Sequence, residues 1–146
     1  MTDISLKPAD SDFAIAVTVA VTRRNISYQL CAAVEGGIGY WCPRQDFKYT
    51  RPDNPVAIMD AGESDGQIWP CYDYPLQPGG AVSFRAEDGK GKKKTIVLNL
   101  DTITKGLQLM AQHSPRHFAN LVNENGDATT GDVFVQYVAF GEIIYG

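Results

Sequence analysis

The sequence has few of the residues that build disulfide frameworks and metal sites. Three cysteines and two histidines occur among its 146 residues. An odd number of cysteines at wide spacing is not the pattern of a small secreted domain, whose cysteines pair. We therefore expect Cys31, Cys42 and Cys71 to be free thiols in a reducing compartment.

Long apolar runs are also absent. The longest, FAIAVTVAV, has nine residues, whereas a membrane-spanning helix needs about 20. The first 13 residues, MTDISLKPADSDF, carry acidic residues and lack the apolar core of a secretory signal. These features predict a cytoplasmic protein that does not enter a membrane.

Charge of either sign is modest. The formal net charge is -4, which argues against a general nucleic-acid binder because such domains are usually basic. The acidic residues are scattered rather than set in dense rows, so a DNA mimic is not indicated either. Hydrophobic residues make up 44% of the chain, which is enough for a packed core, and the length fits one domain.

Hydrophobic patterning predicts a strand and a helix in the first third of the chain. The range Phe13–Thr22 alternates large apolar side chains with alanine and threonine, which is typical of a strand. Asn25 is placed to cap a helix, and Gly36 lies where a left-handed residue would end it. A further strand is predicted over Tyr40–Thr50, with an interruption at Pro43.

A hairpin and three helices are predicted after residue 80. Two strand-like segments, AVSFRAED and KKTIVLNLD, flank the lysine-rich turn GKGK. Asp101 is placed to cap the next helix, and Ser114 with Pro115 to begin another. Thr129 and Asp132 resemble a capping box before VFVQYVAFGEIIYG. The cap and the length favour a helix there, and a strand over VFVQYV is the alternative.

This order of elements predicts an α+β fold in a single domain over residues 1–146. We expect an antiparallel sheet of about four strands with three to four helices packed on it. Residues 51–80 stand apart because they hold five prolines, four glycines and no helical pattern. A loop of this length is uncommon in a compact domain and is often functional.

No catalytic or metal-binding motif is complete in the sequence. His113 and His117 have the spacing of a metal-binding pair, but Ser114-Pro115 breaks a helix between them, and two surface imidazoles are the simpler interpretation. The patterns GxSxG, CxxC and HExxH do not occur. DGKGKKK lies between two strands, so we interpret it as a solvated turn, with a phosphate or nucleic-acid contact as the alternative. We predict no catalytic residue, metal or cofactor; a thiol- or metal-dependent enzyme is the weaker hypothesis.

Aromatic residues concentrate in two segments, GYWCPR and IWPCYDYP. Tryptophan, tyrosine and arginine dominate the energetics of protein interfaces, and aromatic rings also stack on nucleobases. The same rings would serve equally well to hold a long loop on its own domain. The candidate binding residues are Tyr40, Trp41, Arg44, Trp69, Tyr72, Asp73 and Tyr74.

Two blocks of the sequence resemble a family of small bacteriophage and prophage proteins. Residues 31–41, CAAVEGGIGYW, are similar to a block of the form EGGxxYW. Residues 103–146 are similar to a closing block in which TGDVFxQ is followed by FGExxYG. The family has no settled activity, so the resemblance implies a context, namely an accessory phage protein made in the cytoplasm of a bacterial host.

Small accessory phage proteins without an enzymatic signature often act against host defences. The resemblance therefore implies a non-enzymatic inhibitor of an anti-phage defence system, such as CRISPR-Cas, that binds a defence protein. The alternative is a small-molecule binder that sequesters a cyclic-nucleotide immune signal, with rings stacked on the base and arginines on the phosphate. A homo-oligomer is compatible with both hypotheses, whereas contact with membranes or nucleic acid is not expected.

Overall fold

The computed structural model describes residues 12–146 as five α-helices and a three-stranded antiparallel sheet. The sheet has the order β1-β2-β3, with β1 at Lys48–Thr50, β2 at Ala81–Glu87 and β3 at Lys93–Leu98. The helices are α1 (Arg23–Ala32), α2 (Pro70–Asp73), α3 (Leu100–His113), α4 (Pro115–Val122) and α5 (Ala128–Phe140). A π-helical turn at Ala33–Gly37 continues α1, and 3-10 turns lie at Arg44–Asp46 and Tyr74–Leu76. The predicted α+β class is confirmed.

The sheet buries one face and exposes the other. Val82, Phe84 and Ala86 of β2 are buried, and the register pairs Phe84 with Ile96 and Val82 with Leu98 of β3. Since side chains alternate across a strand, these residues form one apolar layer. The predicted hairpin is therefore confirmed.

The strand predicted over Phe13–Thr22 is wrong. This segment forms no strand. The large apolar side chains from Phe13 to Val19 are exposed, whereas Val21 is partly buried against the core. Period-two alternation specifies the two faces of a strand, but the hydrogen bonds must come from a neighbouring strand, and none in residues 12–146 supplies them. The sheet consequently has three strands instead of about four. Residues 1–11, most of the stretch assessed for a secretory signal, lie outside the described residues.

The boundaries of α1 differ from those predicted. Thr22 is the N-cap, because its hydroxyl accepts a hydrogen bond from the backbone N–H of Asn25 at 3.1 Å. Asn25 instead donates its side-chain amide to the carbonyl of Val122. Gly36 does not adopt the left-handed conformation; the helix widens into the π-helical turn and closes at Ile38.

Two glycines let this π-helical turn touch the start of α5. A Cβ atom at Gly37 would overlap the carbonyl oxygen of Ala128. A Cβ atom at Gly131 would lie 2.7 Å from the backbone nitrogen of Ala33 and 2.8 Å from its Cα. Real Cβ atoms do not approach other atoms this closely, so only glycine permits the contact between the two backbones.

The remaining helices follow the sequence prediction with corrected caps. The N-cap of α3 is Asn99 rather than Asp101, because Asn99 and Thr102 bond reciprocally. Pro115 begins α4 as expected. The predicted helix is confirmed as α5 up to Phe140, but its cap is Asp127, whose carboxylate accepts the N–H of Thr130. It ends at Gly141, which is left-handed, so the predicted continuation over residues 141–146 is wrong.

Residues 51–80 contain more structure than a simple loop. The helix α2 and the 3-10 turn after it bury Cys71, Tyr72 and Leu76 in the core. The segment VAIMD, residues 56–60, forms no strand. Among the helices of the described residues, none has the length and apolar character required to cross a membrane.

The contact between Gly131 and Ala33 makes a specific stability prediction. We expect Gly131→Ala to lower the free energy of unfolding by about 2 kcal/mol or more, because a backbone clash outweighs the helix propensity of alanine. Gly36→Ala is the matched control: its Cβ would meet only the Cβ of Ala128 at 3.6 Å, and we expect a change below about 1 kcal/mol. Urea unfolding measures both, and equal effects would contradict the account.

Candidate functional site

Asp132 on α5 joins the two sequence blocks. Its carboxylate accepts hydrogen bonds from the hydroxyl of Tyr40 at 2.6 Å and from Nε1 of Trp41 at 2.8 Å. The side-chain amide of Gln136 donates to the same carboxylate at 2.9 Å. Asp132 was predicted to belong to a capping box; it instead holds the segment that follows the π-helical turn.

Gln136 and Trp41 extend this contact to the end of the chain. The side-chain oxygen of Gln136 accepts the N–H groups of Ile144 and Tyr145, and its amide donates to the carbonyl of Tyr145. The rings of Trp41 and Tyr145 stack with centroids 5.3 Å apart and an interplanar angle of 6°. The residues that carry the phage-protein resemblance therefore bind one another.

The protonation state of the Asp132 cluster suits a structural role. Burial, followed by the hydrogen bond to Asp132, raises the pKa of Tyr40 to about 12. A phenol with this pKa stays protonated near neutral pH and does not serve as a base there. The hydrogen bonds of the cluster hold the segment after the π-helical turn against α5.

A second cluster, which we call the Arg44 patch, consists of Glu35, Arg44, Trp69 and Tyr72, with the Tyr49 hydroxyl beside the Arg44 guanidinium. The Arg44 guanidinium donates to the Glu35 carboxylate at 2.7 Å and lies 5.9 Å from the centroid of the Tyr72 ring. The Tyr72 hydroxyl donates to the same carboxylate. The rings of Trp69 and Tyr72 lie 6.5 Å apart.

The Arg44 patch exposes polar and aromatic side chains to solvent, and these side chains pack on the buried Tyr72. Arg44, Glu35, Tyr49 and Trp69 are exposed, whereas Tyr72 is buried. The hydrogen bond from Tyr72, helped by the Arg44 charge, lowers the pKa of Glu35. Glu35 is therefore ionised near neutral pH and orients Arg44.

Asp73 supports the patch from inside. Its carboxylate is fully buried and accepts the hydroxyl of Ser27 at 3.1 Å, the N–H of Met59 at 3.2 Å and the N–H of Trp69 at 2.9 Å. These bonds connect the loop before α2 to α1, because Ser27 of α1 and the loop residues Met59 and Trp69 all donate to the Asp73 carboxylate.

The structure divides the seven predicted binding residues into four groups. Arg44, Trp69 and Tyr72 come together in the Arg44 patch. Tyr40 and Trp41 bind Asp132 instead, and Asp73 is internal. Tyr74 is half-buried in the 3-10 turn. The sequence-based site did not include Tyr49, Asp132 or Gln136. Tyr49 lay only in the strand predicted over Tyr40–Thr50, of which Lys48–Thr50 forms a strand. Asp132 and Gln136 belong to the block TGDVFxQ, which was not assigned a role in binding.

The three thiols are poorly suited to nucleophilic chemistry. Burial raises the pKa of Cys42 to about 12 and that of Cys71 to about 11, and it also raises the pKa of Cys31. Nucleophilic attack requires the thiolate, which is scarce near neutral pH at such values. All three cysteines are free, as the sequence predicted.

The two histidines have separate partners. The ring of His113 stacks on Tyr137 with centroids 6.3 Å apart, and Nδ1 of His117 lies 3.1 Å from the hydroxyl oxygen of Thr130. Within residues 12–146, no group of three or more histidine, cysteine, aspartate or glutamate side chains is arranged to hold a metal ion.

Comparisons with protein-family models, with curated proteins and with solved structures found no match to this chain.

Removing the Asp132 carboxylate should cost more than removing one of its donors. We expect Asp132→Ala to destabilise the fold by about 3 kcal/mol, because Trp41 and Tyr40 lose their acceptor, and Tyr40→Phe by about 1 kcal/mol. Urea unfolding measures both variants. A smaller loss for Asp132→Ala than for Tyr40→Phe would refute the role assigned to Asp132.

The Glu35 carboxyl should titrate below its ordinary pKa of 4.5. Because its pKa is lowered on folding, the associated stability is present above pH 4.5 and is lost as the pH falls through the lower folded value. Tyr72→Phe removes the largest cause, so we expect the Glu35 pKa to rise in that variant. Side-chain NMR titration measures it, and an unchanged pKa would contradict the assignment.

Proposed function

We propose that this chain is a bacteriophage accessory protein that inhibits an anti-phage defence system of its bacterial host, such as CRISPR-Cas, by binding a defence protein without catalysis. The Arg44 patch is the contact surface. The observation that carries the proposal is an exposed arginine and tryptophan, each held in place, beside a buried tyrosine.

The composition of the Arg44 patch suits a protein interface. Arginine, tryptophan and tyrosine are the residues most enriched among the side chains that dominate binding energy. Arg44 also offers several N–H donors in a planar group, which matches a carboxylate on a partner.

The patch is also organised before any partner arrives. Arg44 is held by Glu35 and by the Tyr72 ring. The indole N–H of Trp69 donates to Asp60 at 2.7 Å. Side chains that are already fixed lose less conformational entropy on association, which favours affinity.

The chemistry of the remaining groups favours binding over catalysis. The raised thiol pKa values weigh against a cysteine nucleophile, and the acidic residues at Asp132 and Asp73 are occupied by structural hydrogen bonds. The cytoplasm of the bacterial host is the compartment in which a defence protein would be met, and it suits free thiols.

The alternative function is the binding of a cyclic-nucleotide signal, and the surface pockets support it less well. One hollow of about 380 Å³ is lined by residues of the β2 start and the α3 start, among them Asp101. Another of about 200 Å³ lies beside Tyr28 and Glu124. Both linings contain an acidic residue and neither contains arginine or lysine, which disfavours a phosphate-bearing ligand.

The proposal is tested by plating phage on bacteria that express the chain together with one defence system at a time. We expect the wild-type chain to restore phage plating against at least one system, and Arg44→Ala/Trp69→Ala to lose at least tenfold of that effect at an unchanged expression level.

The chain offers a matched control on α1. Arg24 lies over the Tyr28 ring at 5.3 Å and donates to its hydroxyl, so Arg24→Ala/Tyr28→Ala removes a similar exposed pair elsewhere. We expect this control to retain inhibition. Loss in the control with retention in the Arg44/Trp69 variant would overturn the proposed surface. Inhibition that is lost when a cyclic dinucleotide is added in excess would favour the alternative.

A further inference from the structure

Residues 13–21 form an apolar segment that pairs with no strand of residues 12–146. Phe13, Ile15 and Val17 expose 91%, 79% and 76% of their surface, and Val19 exposes 47%. These side chains occupy alternate positions, and alanine or threonine fills the positions between them. Soluble monomers rarely expose contiguous apolar surface of this kind, and such surface marks an interaction site.

The outer edge of β3 also lacks a neighbouring strand in the described residues. Within residues 12–146, β3 pairs only with β2, so the backbone groups on its other side lack a strand partner. An unpaired edge is a template for the addition of another strand. The six residues of β3 span about 20 Å and the nine residues of the segment about 30 Å, so the segment covers the whole edge.

The two faces of β3 match the two rows of the segment. Ile96 and Leu98 of β3 are buried in the core layer, whereas Thr95 and Val97 belong to the exposed face of the sheet. An added strand would continue both layers. Its row of phenylalanine, isoleucine and valine would extend the core layer, and its row of alanine and threonine would extend the exposed face.

Charges at the ends of the two strands select the direction of pairing. The segment follows Asp10 and Asp12 and precedes Arg23 and Arg24. In contrast, Lys92 precedes β3, the strand begins with Lys93 and Lys94, and Asp101 follows it. Parallel pairing places opposite charges together at both ends. Antiparallel pairing would place arginines beside lysines and aspartates beside Asp101, which is repulsive.

We propose that residues 13–21 of one copy of this chain pair in parallel with the β3 edge of a second copy. Each copy donates one segment and receives one, so the exchange closes as a two-fold dimer. Within one copy the segment leads directly into α1, which packs on α5, α2 and α4, whereas β3 packs on β2, α5 and α3. The segment does not pair with its own sheet, so the partner copy supplies the edge. This inference is independent of the Arg44 patch.

Light scattering coupled to size-exclusion chromatography tests the dimer with the full chain. We expect a mass of twice 16.0 kDa for the wild-type protein. Val17→Asp, in the apolar row, should weaken the dimer at least tenfold. The matched variant Thr18→Asp places the same charge in the opposite row and should remain dimeric. A monomeric wild-type protein, or a dimer that resists Val17→Asp, would overturn the proposal.

Two further measurements address folding and direction. Circular dichroism should show that monomeric Val17→Asp is folded; a large loss of helix would instead assign the segment to the core of its own chain and refute the exchange. Arg23→Glu should weaken the dimer, and Asp101→Arg in the same chain should restore it, because the two positions are adjacent in parallel pairing. A tighter dimer in Arg23→Glu alone would contradict the parallel direction.

Discussion

The backbone contact between the π-helical turn and the start of α5 is the constraint on which the rest of the structure depends. Gly37 and Gly131 allow the contact because any Cβ atom there would meet backbone. The approach brings Tyr40 and Trp41 within hydrogen-bonding distance of Asp132. Through Gln136 and the stacked ring of Tyr145, the same region also fixes the last residues of the chain.

This arrangement separates the structural role of the phage-like blocks from the function that we propose. Their glycines, aromatic residues and polar side chains contact one another. Glu35 belongs to the same π-helical turn, however, and it holds Arg44 and Tyr72. The π-helical turn therefore contributes to both clusters: Gly37 allows the contact with α5 that forms the Asp132 cluster, and Glu35 belongs to the Arg44 patch. A change in the geometry of the turn would disturb both clusters.

Elements whose signals lie within a few neighbouring residues were predicted correctly from the sequence. The predictions failed for features that depend on contacts with residues distant in sequence. The hairpin of β2 and β3 and the helix α5 were predicted because alternation, turn residues and length agree over a few neighbours. Gly36 was assigned to the helix end because no local pattern shows that the helix continues as a π-helical turn to Gly37, where the close contact with α5 lies. Arg44, Trp69 and Tyr72 were found by residue type, but no local pattern indicated that Asp132 accepts the Trp41 indole.

The most direct measurement of the central claim is site-specific photocrosslinking in infected bacteria. A photoreactive residue replaces Trp69 in one variant and Tyr28 in another, and the crosslinked proteins are identified by mass spectrometry. The account predicts that position 69, and not position 28, captures a component of a defence system that the chain inhibits. Capture of that component at position 28 alone, with inhibition intact, would contradict it.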